Sequence, residues 1–531
     1  MPLRKRKGEK TMGIKIGLLV VFFAVMVGVG LYCRRHATDV NGFVLGGRSV
    51  GPWLTAFAYG TSYFSAVIFV GYAGQFGWRF GVASTWIGLG NAFLGSLLAW
   101  VVLGRRTRVM TQQLDSATMP EFFGKRYDSR ALKLAASAII FIFLIPYTAS
   151  LYNGLSRLFG MAFDIDYTVC ILIMAVLTCV YVVAGGYMAT AINDFIQGMI
   201  MLGGIVAVIA AVLSQNGGFM GSIAKLAQVQ DPLVTDMPGA FASFFGPDPL
   251  GLLCVVVLTS LGTWGLPQMV QKFYAIKSET AISKGTIIST IFAVIVAGGC
   301  YFLGGFARLF TDKLDVTAAG VPAGGYDAII PTMLEGLTPL LISVVLILVL
   351  SASMSTLSSL VMASSSTLTL DFIKGNIVKK MDEKKQVSTM RVLIVVFIAI
   401  SAVIAIVQYK QNVSFIAQLM GVSWGALAGA FLAPFLCGLY MKRTSPIAVW
   451  CSFIFGVGIM TLNMFFRASF PVFLQSPINC GAFAMVAGLV IVPLVSLCTP
   501  APKKEMVDFA FAGYDRKVVV SASKALDHGK K

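Results

Sequence analysis

Thirteen apolar stretches, each about the length of a helix that crosses a bilayer, restrict the folds available to this chain. They lie at approximately 13–33, 51–77, 83–103, 134–159, 167–188, 189–213, 250–271, 285–308, 338–370, 392–408, 413–441, 445–466 and 479–499. Only 12% of the 531 residues are charged, whereas soluble domains carry about 25%. The sequence therefore predicts an all-α, polytopic membrane protein with about 13 transmembrane helices.

The net charge of +18 is distributed unevenly along the chain. If the last span ends in the cytoplasm and the spans alternate, the inner segments hold 28 Lys and Arg. The outer segments after the first span hold 7, when Arg157 and Arg308 at the outer ends of their spans are included. Such an excess of basic residues inside is the usual pattern of helical membrane proteins. We therefore expect a multi-pass cell-membrane protein with its N-terminus outside and its C-terminus in the cytoplasm, and no nucleic-acid partner.

The first ten residues, "MPLRKRKGEK", oppose this orientation, because their five basic residues would have to cross the membrane. A chain that started at Met12 would begin "MGIKIGLLVVFFAV", with one lysine before the apolar run. We therefore expect the native protein to start at Met12, with residues 1–11 outside it.

Several classes of function are excluded by what the sequence lacks. It contains no Gly-rich Walker loop, so ATP-driven transport is not expected. The nine cysteines lie in or at the ends of apolar spans without a CxxC pair, which favours packing over metal binding or disulfides. We expect no enzyme activity and no organic cofactor.

Two spans are interrupted in a similar way, and they lie five spans apart. The second has small and polar residues from Gly60 to Ser65, and the seventh has Gly262, Gly265 and Pro267. Helix packing alone can explain such breaks, but a matched pair in two halves is typical of a transporter site between inverted repeats. The predicted parts are residues 1–33 (head and first helix), 51–213 (first repeat), 250–441 (second repeat), 445–499 (spans 12 and 13) and 500–531 (cytoplasmic tail).

The ninth span carries "SASMSTLSS", in which six of nine residues have a hydroxyl. Ser355, Thr356 and Ser359 share one helix face with the Ala352 carbonyl, because residues three and four apart are neighbours on a helix. Neutral oxygens of this kind suit sodium, a hard monovalent cation. Packing between helices would use the same hydroxyls, so this pattern leaves both interpretations open.

Asp194 is the one carboxylate that falls well within a predicted span. An ionisable group at that depth is costly and usually functional. It lies only about five residues from the predicted cytoplasmic end, so an ordinary interfacial aspartate remains the alternative.

Four stretches resemble the sodium:solute symporter family: "GGYMATAINDFIQGMIM", "SASMSTLSSLVMASSSTLTLDF", "VLGGRSVGPWLTAFAYGTS" and "RRTRVMTQQLDSATMPEFFGKRY". The last two are most similar to its proline-permease branch, and the resemblance runs from about Asn41 to Tyr440. It implies the LeuT-type fold, with a 5+5 inverted repeat in thirteen spans, and sodium-driven uptake of a small solute by alternating access.

The resemblance also implies a main sodium site. Two backbone carbonyls of the broken second span correspond to Thr61 and Phe64. The ninth span supplies the Ala352 carbonyl and the hydroxyls of Ser355 and Thr356.

Some members of the family hold a further sodium with an aspartate of the sixth span and serines of the ninth. Asp194, Ser355, Ser358 and Ser359 match that pattern. The resemblance therefore implies a second sodium site at these residues.

The residues expected to bind the solute match those of the family less closely than the sodium ligands do. "SYFSAVIF" is mostly apolar where sugar carriers have Glu and Gln, while Tyr63 and Thr259 stand where the proline branch has aspartate and tryptophan. Tyr147 matches an aromatic residue of that branch, and Ser65 and Trp264 are further candidates to line the site. A small organic acid or amino acid fits best, because a half-helix N-terminus favours a carboxylate; a sugar or vitamin is the alternative.

Other classes of membrane protein fit less well. An intramembrane serine hydrolase needs a base beside its nucleophile, and the two histidines, His36 and His528, lie in predicted aqueous segments. A channel needs a continuous polar pore, whereas the polar residues cluster at one level. A sensor with a transporter fold is a further alternative.

The expected partners are a small solute, sodium ions and the lipid bilayer, with no obligatory protein partner evident.

Overall fold

The computed structural model describes residues 2–34, 39–163, 166–314, 316–317, 320–322, 325–374, 376–378, 380–411 and 416–514. These residues form 22 α-helices, short 3₁₀- and π-helical pieces and four isolated β-bridges, and no strand occurs among them. His36 and His528 lie outside the described residues. The expected start of the native chain at Met12 stays a prediction.

The helices are numbered in chain order. Those before residue 230 are α1 (Pro2–Cys33), α2 (Val40–Leu45), α3 (Pro52–Tyr63), α4 (Ala73–Phe80), α5 (Thr85–Gly90), α6 (Arg105–Gln113), α7 (Met119–Arg126), α8 (Arg130–Phe163), α9 (Tyr167–Ser214) and α10 (Gly218–Leu226). π-Helical pieces at Val67–Tyr72, Asn91–Leu98 and Trp100–Gly104 continue the helices beside them.

The later helices are α11 (Pro249–Gly265), α12 (Pro267–Ala275), α13 (Glu279–Ala293), α14 (Gly299–Gly304), α15 (Ile329–Leu334), α16 (Pro339–Thr367), α17 (Glu383–Gln411), α18 (Ile416–Tyr440), α19 (Pro446–Phe465), α20 (Val472–Gln475), α21 (Pro477–Cys498) and α22 (Lys504–Phe511). π-Helical pieces at Val294–Gly298 and Leu368–Ile373 extend α13 and α16.

Ten of the described helical segments are long and apolar enough to cross a membrane, and the bent pair α11 and α12 brings the number to eleven. The protein is therefore an integral membrane protein with an all-helical fold. The exact number of thirteen spans and the two five-span repeats remain predictions.

Both interrupted spans are broken in the structure where the small residues and proline lie. In the first, α3 ends at Tyr63, and Phe64 is extended with φ −82° and ψ 122°. In the second, Leu266 has φ −81° and ψ 123° between α11 and α12, which are bent by 47°. Pro267 cannot donate a hydrogen bond back into α11, which favours the break at this point.

Helix α16 lies at the centre of the molecule and packs against α3, α8, α9 and α12. Its residues from Leu348 to Thr367 are buried without interruption. The hydroxyl-rich stretch therefore faces protein on every side rather than lipid.

Close backbone contact joins elements of the two halves of the chain. A Cβ at Gly77 of α4 would overlap the backbone of Gly304 in α14, and a Cβ at Gly304 would overlap Ala73. Only glycine permits this approach, which holds α4 and α14 together near the centre.

Candidate functional site

Five oxygen atoms meet where the break after α3 faces the middle of α16. Thr356 Oγ1 lies 3.1 Å from Thr61 O, 3.2 Å from Phe64 O and 3.1 Å from Ala352 O. Ser355 Oγ lies 3.2 Å from Thr61 O and 3.0 Å from Ala352 O. The structure thus brings together all five residues predicted to form the main sodium site, and every one of them is buried.

The break in α3 explains why two of these oxygens face a side chain. Because Phe64 is extended, the helical ladder of hydrogen bonds stops, and the Thr61 and Phe64 carbonyls lose their usual partners three and four residues later. The chain resumes its ladder with Phe69 N donating to Ser65 O at 3.0 Å.

The cluster has more acceptor oxygens than protons. The two hydroxyls supply one proton each, and the three carbonyls supply none, so each proton can serve one carbonyl at a time. Oxygens that bind one cation of calcium's size, at about 2.4 Å, lie about 3 to 3.5 Å apart, which is close to the separations of 3.0 to 3.2 Å found here. The set fits a cation of a single charge, because all five oxygens are neutral.

A second buried cluster lies next to the first and contains Asp194 and Lys272. Lys272 Nζ donates to Ser359 Oγ at 3.0 Å and lies 3.9 Å from Asp194 Oδ2. Ser359 Oγ is also 2.7 Å from Ser62 Oγ, beside the break in α3. Ser358 Oγ instead donates to the Ser355 carbonyl at 2.9 Å, within its own helix.

Sequence reasoning missed Lys272. The predicted seventh span ended at residue 271, so this lysine was counted among the inner charges. The helix α12 continues to Ala275, and all of its residues are buried. A lysine one residue past an apolar run was the available signal. The second sodium site at Asp194, Ser358 and Ser359 stays a prediction, and an ammonium group now lies among two of its residues.

Three of the five predicted solute-binding residues lie around Trp424 of α18. The rings of Tyr63 and Tyr147 have their centroids 5.8 Å and 5.9 Å from that of Trp424. The Tyr147 hydroxyl lies beside Ser65 and Trp424. Tyr147 Oη, Ser65 Oγ and Trp424 Nε1 are buried close to one another, but none of them makes a hydrogen bond of normal geometry within the described part of the chain.

Unpaired polar atoms of this kind are rare in a protein interior unless a ligand or water satisfies them. Gln268, in the first turn of α12 after the second break, adds both of its amide atoms to the buried polar groups without a partner among the described residues. Neither Trp424 nor Gln268 was predicted from the sequence.

The other two predicted solute-binding residues have their polar atoms engaged elsewhere. Thr259 Oγ1 donates to Val255 O at 2.8 Å within α11. Trp264 Nε1 donates to Leu94 O at 3.0 Å. Asn91, which was not predicted, donates to the Tyr63 hydroxyl and accepts from Ser260 at 3.2 Å.

The cavity beside Tyr63 and Asn91 has a volume of about 10 Å³, which is room for about one water molecule. A much larger cavity of about 1010 Å³ opens between residues 40–48, 115–133 and 370–386. Its lining carries charges of both signs, including Arg48, Lys133 and Asp382.

A family model described as the sodium:solute symporter family matches residues 43–456 of this chain. The chain belongs to the sodium:solute symporter family. As a member of this family it is a transporter, which couples movement of a small organic solute to sodium.

Curated relatives of this symporter extend over most of its length. The osmoregulated proline transporter OpuE of Bacillus subtilis (strain 168) is 27% identical over 489 residues, which is 92% of this chain and 95% of that protein. Sodium/proline symporter 2 of Staphylococcus saprophyticus is 30% identical over 456 residues, with coverage of 84% and 85%. The sodium/proline symporter of Staphylococcus aureus (strain JH9) is 30% identical over 436 residues, with coverage of 80% and 81%.

Among solved structures, this symporter is similar to a Na⁺-coupled sialic acid symporter in a substrate-bound outward-open state. The TM-score is 0.72 at 16% sequence identity, and the match covers 92% of this chain and 98% of that chain. At this level of identity, the likeness shows a shared fold.

Proposed function

We propose that this symporter binds its driving sodium ion between the Thr61, Phe64 and Ala352 carbonyls and the hydroxyls of Ser355 and Thr356. The observation that supports this proposal is the surplus of acceptor oxygens around Thr356, with separations of 3.0 to 3.2 Å. A cation would satisfy the lone pairs that two hydroxyl protons leave over. Two of the ligands lie at the C-terminal end of α3 and three lie on α16, so binding would link α3 to α16.

The solute we propose is a small carboxylate, an organic acid or an amino acid. The buried polar atoms of Tyr147, Ser65 and Trp424 need partners, and aromatic rings enclose them. The helix that resumes at Pro267 offers its N-terminal turn, where a negative group is favoured, and Gln268 adds an amide there. These features suit one short polar molecule with an apolar body.

Proline is the first member of this class to test, because the relatives at 27% and 30% identity are named for proline. Against it, Tyr63 and Thr259 stand where the resemblance to the proline branch leads one to expect aspartate and tryptophan. A related small amino acid is therefore equally within the proposal.

We further propose thirteen spans in a 5+5 inverted repeat, with residues 51–213 and 250–441 as the two repeats. The apolar segment Val67–Gln113 has 47 residues, about 70 Å of helix, whereas a bilayer core is about 30 Å thick. Gly81, with φ 62° and ψ −144°, divides it. Gly186, with φ 61° and ψ −166°, divides the 48-residue α9 in the same manner.

In this topology the N-terminus is outside. Residues 1–33 contain the head and the first helix, residues 445–499 form the last two spans, and residues 500–531 form a cytoplasmic tail. The cavity of about 1010 Å³ then opens on the cytoplasmic side. We propose that it is the vestibule through which the solute leaves, in a cell membrane, during alternating access.

The test is ligand-dependent thermal stabilisation of the purified protein, because a ligand that binds only the folded state raises its apparent stability. Proline, other small amino acids and short organic acids are each added in NaCl and in KCl of equal ionic strength. We expect at least one of them to raise Tm in NaCl and to have no effect in KCl.

The matched control for each active compound is its methyl ester, which adds one methyl group and removes the negative charge. The ester should not stabilise the protein in either salt. Equal stabilisation by acid and ester, or sodium-dependent stabilisation by a hexose alone, would refute a carboxylate as the solute.

A further inference from the structure

The ammonium group of Lys272 lies deep within the protein, among oxygens that are otherwise suited to a metal cation. The side chains of Lys272 and Asp194 are 3% and 1% exposed. The nitrogen lies 3.0 Å from Ser359 Oγ and 3.9 Å from Asp194 Oδ2, and it sits 5.1 Å from the centre of the Tyr187 ring, which also attracts a cation.

The charges in this cluster balance with one cation present. Lys272 forms one ion pair with a carboxylate in the described part of the chain, and its partner is Asp194. Both carboxylate oxygens of Asp194 accept no hydrogen bond from any described residue. The ammonium is therefore the counterion of a carboxylate that has no other compensation, and a buried ion without compensation is strongly disfavoured.

A sodium ion added at Asp194 and Ser359 would share one carboxylate with the ammonium. The two cations would repel each other within a site of low polarity, and the cluster would carry a net positive charge. Of the hydroxyls predicted for a second sodium, Ser358 already donates to the Ser355 carbonyl at 2.9 Å, while Ser359 accepts from Lys272.

We infer that the ammonium group of Lys272 is a built-in cation that takes the place of a second sodium ion, so that the symporter binds one sodium. This inference rests on the proposed function, in which the other ion binds beside Thr356. Lys272 thereby determines how many sodium ions are coupled to transport. Asp194 and the serines of α16, considered without Lys272, would instead indicate a second sodium site.

The cluster is also placed to respond to movement of the broken helices. Ser359 Oγ contacts Ser62 Oγ at 2.7 Å, and Ser62 follows Thr61, whose carbonyl belongs to the main site. Lys272 lies on α12, just after the second break, while Asp194 lies on α9. A tethered cation thus links α12 to α3, α9 and α16 without being released.

The experiment counts sodium ions bound to purified protein, with ²²Na⁺ alone as the probe. We expect one bound ion in the wild type and one in Lys272→Arg, which keeps the charge. Lys272→Met leaves Asp194 without a counterion, so we expect two bound ions, and a Tm that rises steeply when NaCl replaces KCl. The double variant Lys272→Met with Asp194→Asn removes both charges and should bind one ion.

A second substitution identifies which ion belongs to which site. Thr356→Ala should raise the sodium concentration that half-saturates the single site of the wild type about 10-fold, whereas Thr356→Ala in the Lys272→Met background should retain one ion with unchanged affinity. If Thr356→Ala alone does not change sodium binding, the proposed main site is wrong. The inference about Lys272 would then be supported by the gain of one ion in Lys272→Met.

Two bound ions in the wild type would overturn the inference. So would a folded Lys272→Met protein with the same number of ions as the wild type. Failure of Lys272→Met to fold in NaCl, while the double variant folds, would overturn it as well, because sodium would then be unable to replace the ammonium.

Discussion

At the scale of single residues, the hydroxyls of Ser355 and Thr356 are expected to set the sodium affinity. Replacing either by alanine removes one oxygen from the proposed main site. A contact with a charged group contributes about 1.5 to 3 kcal/mol, so the sodium concentration for half-maximal thermal stabilisation should rise about 10-fold or more. The folded protein itself should lose only about 0.6 kcal/mol.

Ser366→Ala is the matched control for these two variants. It lies on the same helix, and its hydroxyl bonds the Ala363 carbonyl at 3.2 Å, within that helix. It should leave the sodium titration unchanged. A sodium midpoint that shifts equally in all three variants would assign the effect to packing of α16.

Tyr147 gives a prediction about the solute. Its hydroxyl is buried and has no hydrogen-bond partner in the described residues, so Tyr147→Phe should leave the free energy of unfolding within about 0.5 kcal/mol of the wild type. If the hydroxyl binds the solute, KM for uptake should rise about 10-fold. Uptake is measured in proteoliposomes. Tyr152→Phe is the control, because the Tyr152 hydroxyl is also buried, lies on the same helix and has no hydrogen-bond partner among the described residues.

An unchanged KM in Tyr147→Phe would remove this hydroxyl from the solute site. An equal rise in both variants would point to a general change in α8 rather than to a contact with the solute.

At the scale of elements, the short 3₁₀-helix Tyr326–Ala328 carries a buried carboxyl outside the spans. Asp327 Oδ2 accepts from Ile416 N of α18 at 3.4 Å. Burial raises the pKa of Asp327 to about 6, against the attraction of Arg157, which lowers it. The folded state therefore favours the neutral carboxyl, and the protein loses stability as pH rises from about 4 to 6.

We expect this group to destabilise the protein by roughly 2 kcal/mol at pH 7 relative to pH 4. Asp327→Asn keeps an oxygen for Ile416 N and cannot ionise, so its Tm should exceed that of the wild type above pH 6 and converge with it near pH 4. Glu335→Gln, at the exposed C-terminal end of α15, is the control. A difference in Tm that does not vary with pH would contradict the assignment to Asp327.

Much of this element-level structure could be predicted from the sequence, because small residues and proline interrupt apolar runs only at specific places. The breaks at Gly60–Ser65 and Gly262–Pro267 were both located, and the hydroxyls of Ser355 and Thr356 do meet the first break. Lys272 could not be placed, because hydropathy does not distinguish a lysine at the end of a span from one that the continuing helix α12 buries.

The surroundings of Trp424 were predicted only in part: Tyr147 and Ser65 were named as candidates to bind the solute, but Trp424 and Gln268 were not. Each of these residues lies on a different element, and their lack of partners is a property of packing that no local pattern records. Thr259 and Trp264 illustrate the reverse case: they lie at suitable positions along α11, yet their hydrogen bonds run to Val255 and Leu94.

At the scale of the whole molecule, the distribution of basic residues makes a prediction about orientation. In a variant whose nine cysteines are replaced, single cysteines are introduced at Lys503, after α21, and at Asp236, between α10 and α11. A membrane-impermeant thiol reagent added to intact cells should label Asp236→Cys and spare Lys503→Cys. The positive-inside bias of 28 to 7 is the physical reason.

Inverted membrane vesicles provide the complementary measurement, in which Lys503→Cys should be labelled and Asp236→Cys spared. Labelling of both positions from the same side would require an even number of spans between them, in place of the seven that the thirteen-span topology contains.

The hydroxyl of Thr356 has a consequence for the return half of the transport cycle. When no ion is bound, its proton can serve the Thr61, Phe64 or Ala352 carbonyl in turn, so departure of the ion does not leave α3 and α16 unlinked. The empty site therefore keeps a hydrogen bond between α3 and α16. In the proposed site, the same two hydroxyls would thus both bind the ion and hold α3 to α16 once it has left.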